Sequence, residues 1–468
     1  MEDNEEFEGY RGRAFNTLKK FGVRVWSIVK IKTRHMEFQG LILPRSAFLE
    51  DNHITLKLDT GYNTGISIED IESIEELGYE PGSYHLPKPE VVPDKFKPRI
   101  ALLGSGGTIA SRLDYRTGGV IPALTPEELY SAVPELADVA FVDTRLLFEL
   151  FSENIQPKHW VHIAEEVVKE VNERGAAGVI IAHGTDTLSF TSAALAFMLQ
   201  DLSTPVVLVG SQRSSDRPSS DAAYNLMCVA AVAVKSDIAE SVVCMHGGSG
   251  DNYCLIHRGT RVRKMHSSRR DAFRSIGCTP LGMVRGTEIK MFTEAYNKRN
   301  AGNVYVDGRI DPRVALIFTY PGMQSDLIDS CIDKGYRGIV IAGTGLGHTP
   351  KTLYNPIERA IEEDVIICMT TQCLWGFVGM RVYETGRELL EWNVIPLANM
   401  LPETAYVKLI CILGRTQNRN EITELMQKNI RGEILKREPF NGYPVLQGGL
   451  PEVDRILKKI EKERGYPP

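Results

Sequence analysis

Two short apolar runs in this chain each lead through glycine to a threonine. The first is "IALLGSGGTIASR", residues 100–112, where Gly104, Gly106 and Gly107 precede Thr108. The second is "GVIIAHGTDTLSF", residues 178–190, where Gly184 precedes Thr185 and Asp186. A threonine hydroxyl is a poor nucleophile and needs a neighbouring base. Bare backbone beside it admits a substrate and leaves N–H groups free to hold an oxyanion. A phosphate loop has the same bareness, but it ends in Gly-Lys-Ser/Thr, and here Gly107 runs straight into Thr108. A dinucleotide loop needs GxGxxG. Neither "GSGGTIA" nor the later "GTGLGHTP", residues 343–350, has that spacing. Taken singly, Thr108 and Thr185 also suit helix N-caps, since both precede apolar helical patterns.

The two turns can act together only if the fold brings them together. Residues 100–103, 178–182, 205–209 and 241–245 read as buried strands. Helical patterns lie between them. In "PKHWVHIAEEVVKEVNERG", Trp160, Ile163, Ala164, Val167, Val168 and Val171 share a face, and Gly175 stops the helix. Strand–helix alternation predicts a mainly parallel sheet covered on both sides. Carboxyl ends of parallel strands share one edge, where ligands bind. A second α/β unit is expected from apolar runs at 314–318, 338–342 and 365–369, with helices near 324–334 and 353–363.

The front of the chain differs. Residues 1–22 read as an acidic leader and 23–80 as a small antiparallel β-barrel-like domain. Its short alternating segments place Val23, Val25, Ile28 and Ile31 on strands, with Leu56 and Leu58 alternating with Lys57 and Asp59. Prolines at 81, 87, 89, 93 and 98 make 81–98 a stiff linker. The α/β part then divides into 99–295, which carries the candidate chemistry, and 296–440. Residues 441–468 form a tail with a helix near 451–464.

Composition narrows the class. The chain has 468 residues, 43% hydrophobic and 24% charged, which is a globular balance that predicts two or three domains. No apolar run is long enough to cross a bilayer, and "MEDNEEFEGY" lacks the basic start and apolar stretch of a signal peptide. A cytoplasmic protein is expected. The eight cysteines form no CxxC pair and read as buried thiols. With 54 basic and 60 acidic side chains, a net charge of −6 argues against a coat of basic charge for nucleic acid. The run Arg261, Arg263, Lys264, Arg269 and Arg270 reads mostly as a solvated or RNA-facing loop. His159 and His162 stand three apart on a helix, but no third ligand is in view, so no metal site is expected.

"GGTIAS" followed by "HGTDT" resembles the L-asparaginase/glutaminase family. "SENIQP" at 152–157, "VGSQR" at 209–213, "SSDAAYNL" at 219–226 and "RVRKMHSSRRDAF" at 261–273 extend the resemblance over about 99–440. It implies a two-domain α/β fold with mainly parallel sheets. It implies Thr108 as nucleophile on a side-chain amide carbon. Thr185, Asp186 and Lys264 resemble the family's relay, in which a neutral lysine takes a proton through the threonine. Asp186 would also hold the substrate's α-amino group and Ser152 its α-carboxylate. Tyr115 resembles a mobile tyrosine that hydrogen-bonds the first threonine, at compressed spacing. Gly107 and Gly184 would line the substrate site. Glu153 stands where many free-standing members carry glutamine, which leaves glutamine against asparagine open.

The extension before residue 99 resembles the D-subunit family of archaeal glutamyl-tRNA(Gln) amidotransferases. That resemblance implies a homodimer that releases ammonia within a heterotetramer. A partner of the E type would bind Glu-tRNA(Gln) and use ATP and magnesium, and this chain would carry no cofactor. The alternatives are a free-standing cytoplasmic L-asparaginase and a non-catalytic scaffold that keeps the fold.

Overall fold

The structure is a computed structural model. It describes residues 5–7, 9–45, 50–59, 62–80, 94–106, 133–213 and 219–439, and the backbone of 111–114 and 119–122. Thr108, Gly107, Tyr115, most of the proline-rich stretch and the expected helix near 451–464 lie outside the described residues.

Near-continuous apolar runs make the central strands. Arg99–Gly104 is buried at its four inner positions and Gly178–Ala182 at all five. Such runs suit parallel strands covered on both faces. The sheet has eight strands. In spatial order they are Glu288–Met291, Gly282–Arg285, Cys254–Arg258, Ser241–His246, Val206–Val209, Gly178–Ala182, Arg99–Gly104 and Phe141–Leu146. The last five run parallel and the first three pair antiparallel. A second sheet, Val314–Phe318, Gly338–Gly343, Ile366–Thr371 and Ile395–Pro396, is wholly parallel.

The helices follow from their faces. In Pro157–Asn172, Trp160, Ile163, Ala164 and Val167 are buried as the periodicity requires, while Val168 and Val171 are half-buried. Glu166 and Glu170 are buried too. Charges at that depth persist only when paired. Glu170 accepts from Arg99 at 2.6 Å and Arg145 at 3.2 Å, and also from Arg174. Glu166 accepts from Arg145 at 2.5 Å and Lys169 at 2.8 Å. Leu188–Met198 is almost wholly buried and packs on Pro402–Arg415, so one apolar core joins the two α/β halves. A separate core lies on the other face of the second sheet, where Ile339 and Ile341 alternate with Val340.

The N-terminal residues form a five-stranded antiparallel sheet in the order Asn63–Ser67, His53–Leu58, Glu37–Ile42, Ser27–Thr33 and Ile71–Tyr79. The expected leader contributes to its core. Gly12–Phe21 is a helix whose Ala14 and Leu18 pack with Val29, Ile31, Ile54 and Leu56. Within Ser27–Thr33, Val29 and Ile31 are buried and Ile28 is half-buried, while Val23 and Val25 are buried just before the strand begins.

Two buried histidines tie stability to pH. Burial pushes His183 down to about 4 against one backbone bond, and burial plus the Arg274 charge pushes His257 to about 3. An unfolded histidine titrates near 6.5. Below that pH the unfolded chain takes up protons that the folded chain refuses. Stability is therefore full above pH ~6.5 and falls by about 1.4 kcal/mol per pH unit per histidine until each folded value is reached. The urea midpoint should drop between pH 7.5 and 5. A flat midpoint across that range refutes this reading.

Candidate active site

Arg99–Gly104 and Gly178–Ala182 are adjacent, with Gly104 opposite Ala182. From the first strand the chain returns on one side, at Phe141–Leu146. From the second it returns on the other, at Val206–Val209. A sheet opens a crevice at such a switch point, beyond the carboxyl ends of the two strands. Ser105 and Gly106, and the turn that carries Thr185, leave the sheet there. The backbone N–H of Ser105 donates to Ala182 O at 2.9 Å and its hydroxyl at 3.0 Å, so the turns are tied at their base. Gly106 has φ +96°, and a Cβ there would fall 2.1 Å from Leu150 O. Only glycine fits this approach.

The second turn meets Lys264. This residue ends the strand Val262–Lys264, paired antiparallel with Phe273–Ser275 so that Lys264 faces the buried Phe273. Lys264 Nζ donates to Thr185 Oγ1 at 2.8 Å and to Asp186 Oδ1 at 2.8 Å. Thr185 is buried, whereas the Asp186 side chain is 69% exposed and free to meet a ligand. The helix Leu188–Met198 begins after Thr187, and Thr185 does not cap it. Its hydroxyl is committed to Lys264.

Ser152 lies beside this pair. A Cβ on Gly184 would come within 2.9 Å of Ser152 Oγ, so the glycine makes room for the serine. Ser152 O accepts from Thr187 Oγ1 at 2.7 Å. Glu153 is exposed in the same short turn, Ser152–Asn154. Ser152, Gly184, Thr185, Asp186 and Lys264 are thus brought together from separate segments. The backbone of Ser111–Asp114 pairs with Gly119–Pro122, a ribbon on either side of Tyr115.

Most of the basic run is not the solvated loop that the sequence suggested, although Arg269 is 56% exposed. Arg261 is fully buried and donates to Ile276 O at 3.0 Å and Asn399 O at 2.6 Å. Arg263 faces Glu403 at 3.5 Å. Arg269 and Arg274 hold Asp271, whose carboxyl burial would raise but whose two arginine bonds bring down to about 2. Arg270 bonds Asp251 at 3.0 Å. These charges build the hairpin that aims Lys264.

Other residues matter that sequence reasoning passed over. His183 Nδ1 donates to Gly184 O at 2.7 Å, and its Nε2 accepts from Thr191 Oγ1 at 2.8 Å. Trp160 Nε1 donates to the same hydroxyl at 3.1 Å. The histidine is neutral near pH 7 and fixes the turn before Thr185. Its place inside "HGTDT" was the available signal. His159 serves a local purpose, since its Nδ1 accepts from Gln156 N at 2.9 Å and its ring meets Phe148. Among the described residues no group of three or more His, Cys, Asp or Glu could hold a metal. The cysteines are free; five are buried, Cys278 and Cys331 are half-buried and Cys373 is exposed. No helix among the described residues is long and apolar enough to cross a membrane.

Comparison with known proteins identifies the family and the fold. Residues 99–297 match the family described as Asparaginase, N-terminal, and 313–426 the Glutaminase/Asparaginase C-terminal domain. Residues 23–77 match the GatD N-terminal domain. The D-subunit of the glutamyl-tRNA(Gln) amidotransferase of Pyrococcus furiosus is 52% identical over 424 residues, covering 89% of this chain and 96% of the relative. That of Methanopyrus kandleri is 46% identical, covering 94% and 98%. Among solved structures, the thermostable L-asparaginase of Thermococcus kodakarensis superposes with a TM-score of 0.64 at 33% identity, over 72% of this chain and 99% of that one. L-asparaginase I of Vibrio cholerae gives 0.62 at 27%, over 72% and 99%. The fold is asparaginase-like, with two α/β domains behind a small barrel-like N-terminal sheet.

Proposed function

The chain belongs to the D-subunit family of glutamyl-tRNA(Gln) amidotransferases, and from that premise we propose that it hydrolyses the side-chain amide of glutamine or asparagine and passes the ammonia to a partner protein. It is the amidohydrolase component of the amidotransferase. The observation that carries the rest is Lys264 Nζ, 2.8 Å from both Thr185 Oγ1 and Asp186 Oδ1 at the switch point of the sheet.

Thr108 Oγ attacks the amide carbon. Thr185 and Lys264 carry its proton away, the C–N bond breaks, and protonated nitrogen leaves as ammonia. Water then cleaves the ester to free glutamate or aspartate. Asp186 receives the α-amino group, which its exposure allows, and Ser152 the α-carboxylate. Gly107 and Gly184 leave room for the amide. Tyr115 closes over Thr108, and Glu153 bears on the choice of amino acid. This chain uses no cofactor. An E-type partner binds Glu-tRNA(Gln), activates it with ATP and magnesium, and consumes the ammonia, within a heterotetramer built on a homodimer of this chain in the cytoplasm. Ammonia released into water becomes mostly ammonium at neutral pH, so transfer to a second site has value.

An enzyme that feeds another should be restrained when alone. The test compares initial ammonia release by this chain alone, with the partner, and with partner plus Glu-tRNA(Gln). The full complex should be at least about ten-fold faster, a coupling of only ~1.4 kcal/mol. Equal rates would instead favour a free-standing L-asparaginase. Release in none of the three would favour a scaffold.

A further inference from the structure

A buried polar chain runs behind Thr185 to the hairpin of Lys264, and the proposed chemistry does not use it. It starts at Gly210, just past the strand Val206–Val209. A Cβ on Gly210 would fall 2.7 Å from Thr185 Cγ2, so this backbone is a wall of the Thr185 pocket. Gly210 O accepts from Asn225 Nδ2 at 3.0 Å. Asn225 Nδ2 also donates to Asp221 Oδ2 at 3.1 Å, which fixes the amide's orientation. Its Oδ1 therefore accepts from His246 Nδ1 at 2.6 Å. His246 Nε2 lies 2.9 Å from Asp251 Oδ1, and Asp251 takes Arg270 Nη1 at 3.0 Å. Arg270 belongs to the segment between Lys264 and Phe273. Asp221 also accepts from Gln212 N and Arg213 N, each at 3.0 Å, and from Ser211 Oγ at 3.0 Å. Asp221, Asn225 and His246 are fully buried.

We infer that Asp221, Asn225, His246 and Asp251 are positioning residues that set Thr185 against Lys264. The inference rests on the reading of those two residues as the proton relay. A satisfied buried network is rigid, and a half-satisfied one is costly. This one is anchored at one end on the wall of Thr185 and at the other on the Lys264 hairpin. Relaxing it changes the relay's spacing without touching substrate, and displacement of about 1 Å at a reacting group can cost up to ~100-fold in rate.

The test uses the full chain under whichever condition above gives the fastest turnover. Asn225→Ala should lower kcat by about 100-fold and leave KM within about two-fold. Because that change strips partners from buried groups, Asp251→Ala tests the network from its half-exposed end. It should lower kcat by about ten-fold at unchanged KM, with a smaller drop in melting temperature than Asn225→Ala because only His246 Nε2 loses a buried partner. Asp251→Asn keeps a hydrogen-bonding side chain beside His246 Nε2 and should recover most of the loss. A folded Asp251→Ala with wild-type kcat, or one in which only KM moves, overturns the inference. Thr185→Ala and Lys264→Met run alongside. If they stay active, the relay reading itself fails; if they are dead while Asp251→Ala is not, only the network does.

Discussion

Thr108→Ala and Thr185→Ala should each abolish ammonia release, by several powers of ten, while the protein stays folded. The two hydroxyls have separate tasks, nucleophile and proton carrier, so neither replaces the other. Thr185 permits the finer test. Its Cγ2 packs against Gly210 and its Oγ1 meets Lys264. Thr185→Val keeps the packing and removes only the hydroxyl, so it should be as inactive as alanine and nearly as stable as wild type. Thr185→Ser keeps the hydroxyl and should retain activity. Ammonia release and thermal melts on the four variants decide. If Thr185→Val turned over at the wild-type rate, the hydroxyl would be structural and the relay would fall.

The strands and the crevice were legible because parallel strands covered on both faces are nearly pure apolar runs. Ile100–Leu103 and Gly178–Ala182 carry that signature whatever surrounds them. Thr185 and Asp186 were legible for a related reason, as they follow directly from a strand end. The basic run was not. Whether a guanidinium is solvated or buried depends on its acceptors, and those of Arg261 are backbone oxygens at Ile276, Asn399 and Glu433. No local pattern announces them. The same holds for Asn225, whose partners sit at Gly210, Asp221 and His246. The leader misled differently. Its first residues are acidic, and that charge hid the helix Gly12–Phe21, which needs only Ala14 and Leu18 to join the small core.

Lys264→Met should remove activity to background with little loss of stability. Methionine retains the apolar stem, which packs in the strand paired with Phe273–Ser275, and discards the nitrogen. The change strands no buried charge. The Asp186 carboxylate left behind is 69% exposed and is solvated by water. Thr185 Oγ1 loses one donor. The cost in stability is therefore of the order of a single hydrogen bond, about 1 kcal/mol. The kinetic cost is larger, because no other side chain is bonded to both Thr185 and Asp186 among the described residues. Lys264→Arg separates the two possible roles. Arginine restores the positive charge beside Asp186 but does not give up its proton in a protein, so it cannot act as a base. Both variants should be inactive if Lys264 moves a proton. Activity in Lys264→Arg alone would make the residue an electrostatic partner of Asp186, and activity in Lys264→Met would send the search for the base elsewhere in the crevice.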